Sequence, residues 1–174
     1  MKLRVTIDTG ALSPGWAFWD VSGTRVAESL AGPVAVGLFQ PPKILEWYEK
    51  TREVNAALAA QFLSQEKAGN RIVEAWIEYP QYFDSEGGQI AAKEGNLVKL
   101  AVSAGKISEL CERFSMKVVL VPVNTWKGQL DKDQVAYHIR KRLGAELCTR
   151  MNFRKDIWDA VGIGLFAKNQ WIFK

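Results

Sequence analysis

Histidine is almost missing: His138 is the sole one in 174 residues, so no site can be built from several imidazoles. Cysteine is scarce as well. Cys111 and Cys148 stand far apart and outside any CxxC pair, which removes zinc and disulfide scaffolds from consideration. The apolar run "VVLVPV" at 118–123 is far too short to span a membrane, and an acid at position 8 falls too early for a secretory apolar region. Repeats, low-complexity tracts and interdomain linkers are also lacking. The expectation is one soluble, cytoplasmic domain over residues 1–174 with no membrane partner. What is present supports that: 48% of residues are hydrophobic, enough to bury a substantial core. With 23 basic and 19 acidic residues the net charge is +4 and the pI about 9.1, which mildly favours a polyanionic partner.

Along the chain, "LRVTID", "GWAFWD" and a segment around "TRVAESLAG" read as three strands of a meander, with Gly15 and "VSGT" as turn signals. From Lys43 to Lys67 apolar residues recur three or four apart after "PP" at 41–42, the pattern of an amphipathic helix. "RIVEAWIEY" reads as a buried strand, Gln89 to Phe114 as a long helix, "KVVLVPV" as another strand, and "DKDQVAYHIRKRLG" and "KDIWDAVGIGLFAK" as helices. A meander followed by alternating helices and strands predicts an α/β fold: a mixed five-stranded sheet with helices on both faces. In such sheets ligands gather at strand ends.

Two strands end in acids. Asp8 closes "LRVTID", and Glu78 stands near the end of "RIVEAWIEY". Asp at a strand end is commonly turn chemistry, its side chain capping the backbone amides that follow. Asp156 and Asp159, three apart in "DIWD", project from one helical face, and acids in a first turn also suit the helix dipole alone. Four carboxylates at the polar edges of apolar elements admit a second reading. Held together they repel unless cations neutralise them. All-oxygen ligation suits Mg²⁺, with Mn²⁺ able to substitute, and two such ions can clamp the attacking and leaving oxygens of a phosphodiester.

Taken in order, "IDTGALSPGWAFWD", "WIEYPQYF", "VPVNTWKGQLDKDQV" and "DIWDAVGIGL" resemble the RuvC-type Holliday junction resolvases of the ribonuclease H-like nuclease superfamily, over nearly the whole chain. The resemblance implies a ribonuclease H-like domain that nicks symmetric strands of four-way DNA junctions by two-metal-ion hydrolysis, a crossover junction endodeoxyribonuclease of recombination and repair. Asp8, Glu78, Asp156 and Asp159 match the family's metal-binding tetrad, Lys127 its strand-end lysine for the scissile phosphate, and Lys132 a second basic residue close to the DNA. Thr9 stands where the family usually has proline, and the stretch from Lys127 to Lys132 is shortened.

After Glu78, Tyr82 and Phe83 could stack on exposed bases at the strand exchange, the wedge that the resemblance implies; Tyr79 is the one expected to pack under its loop instead. Arg154 and Lys155, before the DxxD helix, are candidates for phosphate contacts, whereas Arg140 to Arg142 read better as a solvated face. The helix at 89–114 carries an apolar set too broad for one stripe. A homodimer would cover the second face and pair two active sites on a four-way junction. On a branch-migration helicase as a further partner the residues are silent. Three rival readings are a ribonuclease H-like RNA-processing nuclease, an actin-like or sugar-kinase-type ATPase suggested by "IDTG", and a DNA-binding module without activity. The length fits one such ATPase domain where those folds use two.

Overall fold

The computed structural model of the chain describes residues 1–10, 13–23, 32–81 and 95–171. Strand β1 (Lys2–Asp8) alternates strictly: Leu3, Val5 and Ile7 are fully buried in one apolar layer, while Thr6 points into the opposite one. Strand β2 (Gly15–Asp20) returns antiparallel, with Gly15 opposite Asp8. The third strand of the meander corrects the sequence reading. It is Ala35–Leu38 (β3), antiparallel to β2, and residues 24–31 of the expected segment lie outside the described residues. Gly37 in "AVGL" disguised it, since a glycine inside a strand pattern reads as a break. Here the glycine makes room for the Trp16 indole, which an added Cβ would overlap.

Helix α1 (Trp47–Lys67) buries Val54, Leu58 and Phe62 at every fourth position. It starts four residues later than the apolar spacing suggested, because Glu49 accepts a hydrogen bond from the Glu46 N–H at 2.9 Å and so closes the first turn there. Strand β4 (Arg71–Tyr79) then runs parallel to β1, helix α2 (Asn96–Arg113) crosses over, and β5 (Lys117–Pro122) lies parallel to β4. Residues 89–94 of the expected long helix lie outside the described residues. The short helix α3 (Val123–Trp126) leads to α4 (Lys132–Leu143), α5 (Ala145–Arg150) and α6 (Ile157–Ala167). A reciprocal pair of hydrogen bonds between Asp131 and Gln134 fixes the start of α4.

The sheet order is β3-β2-β1-β4-β5, mixed in direction. Leu58 and Phe62 of α1 and Ile107 of α2 pack on one face with Leu3, Val5, Ile7 and Ile77. On the other face Ile139 of α4 and Val161, Ile163 and Leu165 of α6 pack with Trp19 and Trp126. Helices therefore cover both faces, as the sequence predicts. No described helix is long and apolar enough to cross a membrane.

Helix α6 is buried from Ile157 to Leu165, which explains its nearly unbroken apolar sequence: the sheet lies beneath it and α4 beside it. Four contacts fix its position. The Thr6 hydroxyl donates to the Ala160 carbonyl at 2.7 Å and accepts from the Trp19 indole N–H at 3.0 Å. Gly164 gives the Trp19 ring its space and Gly162 does the same for Trp126. Gly15 at the start of β2 lies so close to the Asp156 carbonyl that a Cβ there would overlap it. The first turn of α6 is thus pressed onto the end of the β1–β2 hairpin.

Candidate active site

Because β1 and β4 are parallel and in register at Ile7 and Ile77, the residues after them, Asp8 and Glu78, emerge at the same sheet edge. Helix α6 begins there, with Asp156 at its N-cap and Asp159 in its first turn. Carboxylate oxygens of Asp8, Asp156 and Asp159 lie within 4.8 Å of one another. Asp8 and Asp159 are buried, and Asp156 is partly so. These three form an acidic cluster that could hold a metal ion, and the all-oxygen donor set suits a hard divalent cation. Glu78 stands beside them, its Oε2 accepting a hydrogen bond from the Trp126 indole N–H at 3.0 Å.

The two local readings of these acids fare differently. Asp8 does cap its turn, since Oδ1 accepts from the Gly10 N–H at 2.9 Å, yet that uses one oxygen of two. Asp156 occupies a helix N-cap position without capping: its carboxylate takes no N–H from α6. It turns instead toward the Asp8–Gly10 turn, where a Cβ on Gly10 would stand 3.2 Å from Oδ2.

Two lysines close the cluster. Lys127 donates to Asp159 Oδ1 at 3.0 Å with its side chain 14% exposed. Lys132 pairs with Asp156 Oδ1 at 2.5 Å and stands 3.8 Å from Asp159 Oδ2, with its side chain 62% exposed. The first is packed in place and the second can swing away. The shortened loop between them matters here: a turn closed by the Leu130 N–H on the Lys127 carbonyl lets both ammoniums reach the same acids. Thr9 also has a function that proline could not share in full, since its hydroxyl donates to the Glu78 carbonyl at 3.3 Å and ties the ends of β1 and β4 together.

Crowding sets the proton affinities. Burial first, then the charges of Glu78 and Asp159, hold the Asp8 carboxyl well above the usual carboxylate range, against the pull of the Gly10 N–H. Burial and the neighbouring Asp159 push Glu78 up to about 7, with the Trp126 N–H and Lys127 opposing. For Lys132 burial disfavours the charge, but the hydrogen bond and attraction from Asp156 outweigh it and raise the ammonium's pKa. Fully ionised, the four carboxylates outnumber the two lysines, and it is this repulsion, which raises the proton affinities of Asp8 and Glu78, that a bound cation would relieve.

Of the surrounding candidates, Tyr82 and Phe83 lie outside the described residues. Tyr79 corrects the expectation: as the last residue of β4 it is 41% exposed rather than packed away. Arg154 and Lys155 are exposed immediately before Asp156 and form no ion pair among the described residues. Arg140 lies over the Trp158 ring at 4.8 Å. Trp126 is the residue that sequence reasoning missed. It is fully buried in the core and still donates to Glu78, and its position beside Lys127 was the available signal. On α2, Ser103, Ala104, Ile107 and Cys111 are buried, while Val98 is 64% exposed and Leu97, Leu100, Ala101 and Val102 are only partly covered.

No family model and no curated protein matches the sequence. Among solved structures the chain is similar to that of Thermus thermophilus RuvC, with a TM-score of 0.57 and 15% identity over 94% of this chain and 91% of that one. It is also similar to T. thermophilus RuvC in complex with Holliday junction substrate, with a TM-score of 0.63 and 15% identity over 94% and 90%. The chain has the RuvC-type, ribonuclease H-like fold.

Proposed function

We propose that the protein is a divalent-metal-dependent endonuclease for branched DNA, which nicks symmetric strands of a four-way junction as a homodimer. The observation that carries this reading is the meeting of Asp8, Glu78, Asp156 and Asp159, from two parallel strands and one helix, at a single sheet edge with two lysines against them. Structural relatedness to a RuvC bound to Holliday junction substrate supports the choice of substrate.

In this reading Asp8, Glu78, Asp156 and Asp159 hold two Mg²⁺ or Mn²⁺ ions, which when bound supply Lewis-acid polarisation of the phosphodiester and a nucleophilic water at neutral pH. Trp126 restrains Glu78 by its N–H, leaving the other carboxylate oxygen for ligation. Lys127, fixed by packing, presents positive charge where it develops on the reacting phosphate. Lys132, more exposed, moves from Asp156 to a DNA phosphate, as Arg154 and Lys155 do from solvent, and these contacts position the backbone without reading sequence. Tyr82 and Phe83 are the proposed wedge. The partly covered face of α2 is the proposed two-fold interface, which aims two sites at opposed strands.

A denaturing gel of a labelled four-way junction, a linear duplex and an RNA–DNA hybrid, each with and without Mg²⁺, tests the proposal. Paired nicks in the junction alone, only with Mg²⁺, are expected. Preferential cleavage of the hybrid would transfer the reading to RNA processing, and no cleavage of any of the three would refute it.

A further inference from the structure

Glu78 and Lys127 come from different elements, and one side chain touches both. Trp126, the last residue of α3, is fully buried. Its indole N–H donates to Glu78 Oε2 at 3.0 Å, and the Lys127 Nζ lies over the same ring, 5.6 Å from its centre, within the range of a cation–π contact. The ring is seated in turn. Its far edge enters α6 at Gly162, where an added Cβ would stand 2.5 Å from Cζ3, and Trp171 packs against it with ring centres 5.6 Å apart. Gly162 follows Asp159 by three residues, so one face of α6 offers a carboxylate to Lys127 and, a turn further on, a slot to Trp126. The Lys127 N–H donates to the Val123 carbonyl at 2.9 Å, which closes Trp126 and Lys127 into one turn, and whatever seats the ring therefore also sets the lysine.

Glutamate and lysine have long, freely rotating arms. A ligand or cation that must be ordered when its partner arrives binds less well than one ordered beforehand. We infer that Trp126 is a positioning residue with two separable tasks: its N–H orients Glu78 toward the metal ions, its ring holds Lys127 against Asp159 for the reacting phosphate, and the Gly162 slot aligns the two. The inference rests on the nuclease reading above and extends it from the groups that react to the residue that couples them. A tryptophan that merely filled the core would give a different pattern, since its replacement would weaken metal binding and turnover only as far as it weakened the fold.

The two tasks are separated by Trp126→Phe, which removes the N–H and keeps a ring, and Trp126→Leu, which removes both. Mn²⁺ affinity of the full chain without DNA is measured by calorimetry, and turnover of a four-way junction is measured at saturating metal. In Trp126→Phe the Mn²⁺ affinity should fall about tenfold, the lower end of what losing an outer partner of a metal ligand costs, with turnover falling far less. Trp126→Leu should show the same loss of affinity and a turnover about tenfold below that of the Phe variant, less than the roughly 10²-fold cost of losing such a charge outright. Gly162→Ala, which keeps the tryptophan but displaces its ring, should lower both quantities and carries the test if Trp126→Leu does not fold. Phe62→Leu, in the opposite apolar layer, should lower the thermal midpoint and move neither. Unchanged Mn²⁺ affinity in Trp126→Phe, or affinity and turnover falling together in step with the thermal midpoint in every variant, overturns the inference and leaves the nuclease reading intact. Failure of the unmodified protein to bind Mn²⁺ or to cut the junction overturns the nuclease reading and this inference with it.

Discussion

Lys127 and Lys132 touch the same acids and should behave differently, because one is packed and the other exposed. Lys127→Ala is expected to reduce junction cleavage at saturating substrate about 10²-fold, as loss of one preorganised charge at a reacting centre does, with junction affinity little changed. A normal turnover with weakened binding would assign Lys127 to docking. Glu78 supplies a second test. Its value in the fold, about 7, lies above its ordinary 4.5, so the folded chain holds this proton more tightly than the unfolded one. The stability it contributes is therefore complete below about pH 4.5 and is lost as pH rises to and through 7. The thermal midpoint of the metal-free protein should fall across that window, and Glu78→Gln should flatten the fall; an unchanged profile in the variant would contradict the placement of Glu78. Adding Mn²⁺ at pH 8 should raise the midpoint of the unmodified protein by mass action.

The elements deliver these residues by close contacts that side-chain patterns only partly reveal. Gly15→Ala places a Cβ against the Asp156 carbonyl, so the head of α6 must shift from the β1–β2 hairpin, and cleavage should drop by more than the loss in thermal midpoint explains. Gly164→Ala, at the other end of α6 against Trp19, should cost stability, about 1–3 kcal/mol as overpacking does, with the residual folded protein still active. If the two variants lose activity in proportion to stability alike, the hairpin contact has no special bearing on the site. Much of this architecture was legible. Alternation in "LRVTID" and fourfold spacing from Val54 to Phe62 each leave a periodic signal, and the acids at or near the ends of β1 and β4 and at the start of α6 were readable as candidates that the fold brings to one sheet edge. What was hidden depends on contacts between elements distant in sequence. Gly37 reads as a strand breaker until Trp16 lies over it, Trp126 gives no sign of its bond to Glu78 until the two elements meet, and the Thr9 bond to β4 leaves no periodic trace.

At the scale of the whole molecule, a junction nuclease must meet a polyanion with two sites at once. With most contacts made to phosphates, junction affinity should fall steeply between 50 and 200 mM salt, by roughly 10³-fold or more if six or more phosphates are engaged; a salt-independent affinity would exclude this mode of binding. Val98→Glu on the partly covered face of α2 should convert a dimer to a folded monomer in sedimentation, since Val98 is already 64% exposed within one chain, and a monomeric unmodified protein would refute the two-fold interface. The central claim is that the four acids hold the ions that cut DNA, and Asp8→Asn reaches it most directly. The amide oxygen of Asn can still accept the Gly10 N–H that Asp8 Oδ1 accepts at 2.9 Å, so the turn survives while one charged ligand is lost. Mg²⁺-dependent nicking of a four-way junction by this variant, measured beside the unmodified protein with junction binding as the folding control, is predicted to vanish while binding persists or tightens; nicking at the unmodified rate would mean that Asp8 only caps a turn and that the carboxylate cluster is not the catalytic centre.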